Sequence, residues 1–70
     1  MRVRLVNVGR DKVTREVEIP DGSTRDQVAQ EIAEEAQKHL ISTVVWCAWN
    51  GKKGTIHAGF HSVGEAELVR

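Results

Sequence analysis

Val44-Val45-Trp46-Cys47-Ala48-Trp49 and Thr55-Ile56-His57-Ala58-Gly59-Phe60-His61-Ser62, joined by Asn50-Gly51-Lys52-Lys53-Gly54, read as a β-hairpin. This stretch holds both Trp residues, the only Cys, the only Phe and two of the three His. A turn centred on Lys52-Lys53, closed by Gly51 and Gly54, pairs Asn50 with Thr55. Trp49 then faces Ile56, Cys47 faces Ala58 and Val45 faces Phe60, which makes one apolar face. The other face carries Ala48 opposite His57, Trp46 opposite Gly59 and Val44 opposite His61. A two-residue turn at Asn50-Gly51 is the competing register. It keeps Val45, Cys47, Trp49 and Ile56 together but scatters the rest, so the first register is preferred.

Upstream, Arg2–Val8 alternates Val3 and Leu5 with Arg2 and Arg4, and Val13–Ile19 alternates Val13, Val17 and Ile19 with Thr14, Glu16 and Glu18. Period-two patterning marks half-buried strands. Pairing Leu5 with Arg15 and Val3 with Val17 puts Met1, Val3, Leu5, Val13, Val17 and Ile19 on one face. The loop then has three residues, with Gly9 or Asp11 available for positive φ. Arg15 is the misfit on that face, and its guanidinium can reach water from the rim. Val6 and Val8 fall on the opposite face.

Pro20-Asp21-Gly22 stops the second strand. Thr24 with Gln27 forms a capping-box pattern, and Asp26 suits the positive end of a helix. Val28, Ala29, Ile32, Ala33, Ala36 and Leu40 make an apolar stripe, so a helix is expected from about Arg25 to about Leu40. In the tail, Gly64 breaks the pattern, and Ala66–Val69 reads as a short edge strand or a fraying end. The expected fold is α+β: one domain over residues 1–70, in the order β-β-α-β-β with a short fifth strand as an option. One helix packs on one face of a small antiparallel or mixed sheet.

Size and composition narrow the function. A chain of 70 residues buries only about 60% of its unfolded surface, and such a core supplies roughly 3–5 kcal/mol of net stability. There is little room for a deep substrate cavity, so no catalytic residues are assigned. A single Cys excludes an intramolecular disulfide and favours a reducing, cytoplasmic setting. No segment has the apolar length of a membrane span, so no membrane partner is expected. Lys plus Arg equals Asp plus Glu at ten each, so net charge draws the chain to no nucleic acid.

The N-terminal hairpin, followed by Val17-Glu18-Ile19-Pro20-Asp21-Gly22-Ser23-Thr24 leading into Asp26–Ile32, resembles the ubiquitin-like β-grasp arrangement. The resemblance covers about half the chain and is one of fold. It implies a scaffold that mostly binds other proteins. The sequence ends Leu68-Val69-Arg70, without the Gly-Gly that modifier and sulfur-carrier members present for adenylation, so that chemistry is not expected.

The candidate binding group is Trp46 with His57, His61 and Val44. A Trp flanked by imidazoles on an open sheet face suits a protein anchor, because it offers a large rigid area with one donor. Its structural counterpart is cross-strand packing, with Trp46 covering the bare backbone of Gly59. Cys47, His57 and His61 carry zinc-type donors, but His57 and His61 lie about 13 Å apart along a strand and Cys47 points to the other face. No metal or cofactor is therefore expected. Cys47, inward beside Val45 and Trp49, reads as core filling rather than a nucleophile. The rival reading is a nucleic-acid face built from Arg2, Arg4, Lys12, Lys52 and Lys53 with Trp46 as a stacking ring; Glu16 and Glu18 on the same face weigh against it. The leading expectation is a small non-catalytic protein-binding module, acting as an accessory factor or inhibitor of the kind carried by phages and mobile elements. Its partner would be another protein, and a second copy of the chain is a further candidate.

Overall fold

The computed structural model describes residues 1–41 and 44–69. Five strands and one helix follow in the order β1 (Arg2–Val8), β2 (Val13–Glu18), α1 (Arg25–Gln37), β3 (Val45–Trp49), β4 (Lys53–Ala58) and β5 (His61–Leu68). The strands form one sheet, ordered β2-β1-β5-β4-β3, and every neighbouring pair is antiparallel. The β-β-α-β-β reading holds, and the fifth strand is a full eight-residue element at the centre of the sheet rather than a short edge piece.

The first hairpin pairs as its alternation requires, with Val3 opposite Val17 and Leu5 opposite Arg15. Beyond Leu5 the register slips by one before Val8 meets Val13. Asn7 sits there at φ 56, a conformation Asn tolerates better than most residues. The extra residue re-aims the strand, so Val8 enters the core at 1% exposure instead of sharing an outer face with Val6. The loop runs Gly9–Lys12, and positive φ falls on Gly9 and Lys12 rather than Asp11. A Cβ on Gly9 would lie 3.1 Å from Leu40 Cδ2 and 3.2 Å from the His39 carbonyl oxygen, so this tip nestles against the end of the helical segment.

Thr24 caps α1 with a reciprocal capping box. The Gln27 amide donates to Thr24 Oγ1 at 3.2 Å, and the Thr24 amide donates to Gln27 Oε1 at 2.8 Å. The helix proper stops at Gln37, three residues short of Leu40. Its Val28, Ile32, Ala33 and Ala36 are buried against the sheet. Val28, Ile32 and Ala36 meet Val3, Leu5, Val8, Ile19, Trp49, Ile56 and Ala66 in one core, with Val17, Val45, Cys47 and Val63 partly buried at its margin. Ala33 and Ala36 present little side chain, which lets the helix lie close over β3.

The turn after β3 is tighter than the preferred reading, and a second turn interrupts what that reading has as one strand. The Asn50 amide donates to the Lys53 carbonyl at 2.9 Å, leaving only Gly51-Lys52 between them. Trp49 thus faces Gly54 and Cys47 faces Ile56. This differs from the expected pairing by two residues, so each β3 and β4 side chain keeps its face. The second change has larger consequences. The stretch expected as one strand through Ser62 turns at Gly59-Phe60, with Ala58 opposite His61. Gly51 and Gly59 each stand first in their two-residue turns at positive φ (103° and 62°), the position that a type II′ turn assigns to Gly. Phe60, expected in the core, is at the tip and fully exposed.

Ile32 is fully buried, so Ile32→Ala is expected to cost about 2–5 kcal/mol. Set against the net stability of so small a domain, this should leave much of the variant unfolded without denaturant; a urea melt reads it. A loss below about 1 kcal/mol, the ordinary size for an indifferent site, would show that the helix does not seal this core.

Candidate protein-docking face

α1 covers one face of the sheet and leaves the other open. That outer face is divided by chemistry. On β2, β1 and β5 it is a charge ladder. Arg2 pairs with Glu18 at 2.8 Å and Glu16 at 3.6 Å, and Arg4 pairs with Glu16 at 3.2 Å and Glu67 at 3.5 Å. The ladder follows from register, because Arg2 stands opposite Glu18 and Arg4 stands between Glu16 and Glu67. Such exposed pairs are each worth about 0–1 kcal/mol. Their main effect is that the two guanidiniums already have carboxylate partners.

On β4 and β3 the same face is uncharged beyond Lys53. Trp46 stands opposite His57, and Ala48 stands opposite Thr55. The Trp46 and His57 rings are stacked, with centroids 4.2 Å apart and planes 16° from parallel. Trp46 Nε1 donates to the Gly59 carbonyl at 3.1 Å. The indole is therefore fixed on one side by the imidazole and at its edge by the turn, and 47% of its surface remains exposed. Both readings of Trp46 are present in this geometry: it packs across the strands, against His57 rather than Gly59, and it still offers an open, orientationally fixed ring.

Beside the pair lies a shallow depression of about 640 Å³. Val6, Ala48, Thr55 and Glu65 are among the residues lining it. These belong to the same face and share the phase of Trp46 and His57. The alternation already puts Ala48 and Val6 on this face; Glu65 joins them because β5 is a central strand rather than a short edge piece.

The four residues expected to form the patch do not all meet. Trp46 and His57 touch. Val44 precedes β3 in the phase of Trp46 and is 61% exposed, and its carbonyl accepts from the Gly59 amide at 2.9 Å. His61 does not share the outer face. It pairs with Ala58, whose phase is that of Ile56, while Ser62 is the residue opposite His57. The tight Gly59-Phe60 turn causes this, since it ends β4 before His61 and returns the chain in the other phase.

Of the five basic residues of the rival reading, Arg2, Arg4, Lys52 and Lys53 lie at one end of the sheet, interleaved with Glu16, Glu18 and Glu67, and Lys12 lies at the other. Arg2 and Arg4 lie in the ladder, and Lys53 pairs opposite Glu67. Lys12 and Lys52 sit in turns at opposite ends of the sheet. Cys47 is half-buried, and burial pushes its thiol up to about 11 by disfavouring the thiolate. His39 has its Nε2 buried, without a hydrogen-bond partner among the described residues and 3.7 Å from a Glu35 carboxylate oxygen. Among the described residues, no group of three or more His, Cys, Asp or Glu gathers around a point that could hold a metal ion. No helix among them is long and apolar enough to cross a membrane.

In comparison with known proteins, the chain matches no family model, no curated protein and no solved structure.

The raised Cys47 pKa sets both reactivity and pH dependence. Thiol labelling by a disulfide reagent at pH 8 should be slow in the native protein and fast in denaturant. Because the folded thiol holds its proton more tightly than the unfolded one, stability should fall as pH rises from about 9 towards about 11. Equal labelling rates in native and unfolded protein would contradict the buried placement.

Proposed function

We propose that the chain is a small non-catalytic protein-binding module, an accessory factor or regulator, that docks a partner on the β3–β4 half of its outer sheet face. The observation that carries this reading is the stacked Trp46–His57 pair. An aromatic fixed before binding loses little conformational freedom when a partner covers it, and buried aromatics supply much of the energy of protein interfaces. Ala48 and Thr55 beside it leave the shallow depression open, and the neighbouring charge ladder supplies a polar rim.

The fold-level likeness to the β-grasp arrangement belongs to this proposal. It is supported by an N-terminal hairpin leading through a capped turn into a helix laid over an antiparallel sheet. A cytoplasmic setting rests on the lone, half-buried Cys47. Nucleic-acid binding through Arg2, Arg4, Lys12, Lys52 and Lys53 ranks second, because Arg2 and Arg4 are engaged by carboxylates, Lys53 stands opposite Glu67, and Lys12 lies at the far end of the sheet from the other four.

The test is affinity capture from the native host with the tagged chain, comparing wild type with Trp46→Ala and Thr55→Arg. Thr55 stands on the outer face, so its replacement should leave the fold intact. Both variants should lose the captured protein while keeping the wild-type circular dichroism; Thr55→Arg should also keep the melting profile, whereas Trp46→Ala loses the stack on His57 and melts somewhat earlier. Retention of the same protein by folded Thr55→Arg would overturn this docking face. A salt-sensitive mobility shift of single-stranded DNA or RNA, lost in the double variant Arg2→Gln with Arg4→Gln, would favour the second reading.

A further inference from the structure

One carboxylate of the open face stands outside the charge ladder. Glu16, Glu18 and Glu67 are each held by Arg2 or Arg4. Glu65 has no ion pair among the described residues. Its register explains this, because the residues opposite it are Val6 on β1 and Thr55 on β4, neither of them charged. Glu65 is exposed, and it lines two depressions. One is the depression of about 640 Å³ that it shares with Val6, Ala48 and Thr55. The other, of about 510 Å³, it shares with Asn7 and Ser62. Cations border both: Lys53 the first, Arg10 and Lys12 the second. Lys53 stands opposite Glu67 rather than Glu65, and Arg10 and Lys12 belong to the loop beyond β1.

This placement constrains what can dock. A partner laid over Trp46, His57 and the larger depression also covers Glu65. In the free chain water solvates that carboxylate. Covering it with apolar surface is strongly unfavourable unless a cation or hydrogen-bond donors meet it. The docking face therefore needs a positive group at one defined point. A guanidinium suits that point better than an ammonium. It is planar, is weakly hydrated and gives a carboxylate two parallel hydrogen bonds. The distance suits a long side chain as well. Trp46 on β3 lies two strands from β5, about 10 Å at ordinary strand spacing. Thr55, on the strand between them, is small enough for a side-chain stem to lie over it.

We propose that the docked segment of the partner carries an Arg. Its guanidinium pairs with Glu65, its stem lies over Thr55, and an apolar neighbour in the partner covers the free part of the Trp46 ring. This rests on the docking face proposed above and adds the chemistry of what docks there. It also gives that face a means of rejection: a partner with a carboxylate or an apolar side chain at this point leaves Glu65 repelled or unpaired.

Two capped peptides test the contact in a nuclear magnetic resonance titration of the isotope-labelled chain: acetyl-Leu-Arg-Leu-amide, and the same peptide with citrulline in place of Arg. Citrulline keeps the shape of the side chain and removes its charge. The Arg peptide should shift the Glu65 and Thr55 amides and the Trp46 indole N–H, binding about tenfold or more tighter than the citrulline peptide. Glu65→Gln changes an exposed side chain and should leave the fold intact. It should bring the Arg peptide down to the citrulline level without altering the citrulline peptide. Lys53→Gln removes the cation that shares the depression and should not weaken the Arg peptide. Absence of these shifts at millimolar peptide, equal binding of the two peptides, or an Arg preference that survives in Glu65→Gln would overturn the inference. The captured protein separates the two proposals. If it is lost by Thr55→Arg but bound by Glu65→Gln as tightly as by wild type, the Arg contact is wrong and the docking face stands. If folded Thr55→Arg retains it, the docking face falls and the Arg contact with it.

Discussion

Strand β5 joins two hairpins that otherwise share only the helix and a loop. β1 and β2 pair with each other, as do β3 and β4, and β5 lies between β1 and β4. Its inward positions are small: Gly64 opposite Ile56, and Ala66 between Leu5 and Gly54. A Cβ on Gly64 would lie 3.1 Å from the Val8 backbone, so the neighbouring strand closes over bare chain there. A side chain at Gly64 would press on Val8 and force β1 to shift.

The same strand sets the chemistry of the open face. Glu65 and Glu67 point outward from β5 between Val6 and Arg4 on one side and Thr55 and Lys53 on the other. Arg4 thereby gains a second carboxylate, and the basic character of the first hairpin is neutralised. The uncharged remainder is displaced to β3 and β4, where Trp46 and His57 stack. The uncharged part of the open face thus falls on β3 and β4 because most of the charges are taken up on the other three strands.

The parts legible in the sequence were those written in strong local patterns. Val3, Leu5, Val17 and Ile19 fixed the first hairpin's register, and Thr24 with Gln27 fixed the helix start. Trp46 and His57 were assigned to one face despite a misjudged turn, because an error of two residues preserves side-chain phase. Three features escaped. Val8 enters the core only because Asn7 adopts a left-handed conformation, which no periodicity announces. Gly59-Phe60 makes a turn from two residues that continue an apolar run, so Phe60 was read as core and His61 as part of the patch. β5 is legible only as a short edge strand over Ala66–Val69; its full length and central place escape because its best-buried residues are small. Gly64 and Ala66 give almost no hydrophobic alternation, although their outward partners Glu65 and Glu67 alternate strictly.

The central position of β5 is the claim on which face and core both rest, and a nuclear Overhauser spectrum of the labelled protein tests it most directly. In non-hydrogen-bonded antiparallel pairs, facing Cα atoms approach to about 4.5 Å. The Val69 amide donates to the Arg2 carbonyl and the Leu68 amide to the Lys52 carbonyl, which makes Leu5–Ala66 and Thr55–Glu65 such pairs. Strong Hα–Hα contacts are expected within both pairs at once, placing β5 between β1 and β4. Contacts on one side only would put β5 at an edge, break the charge ladder from the β3–β4 surface, and contradict the division of the open face described above.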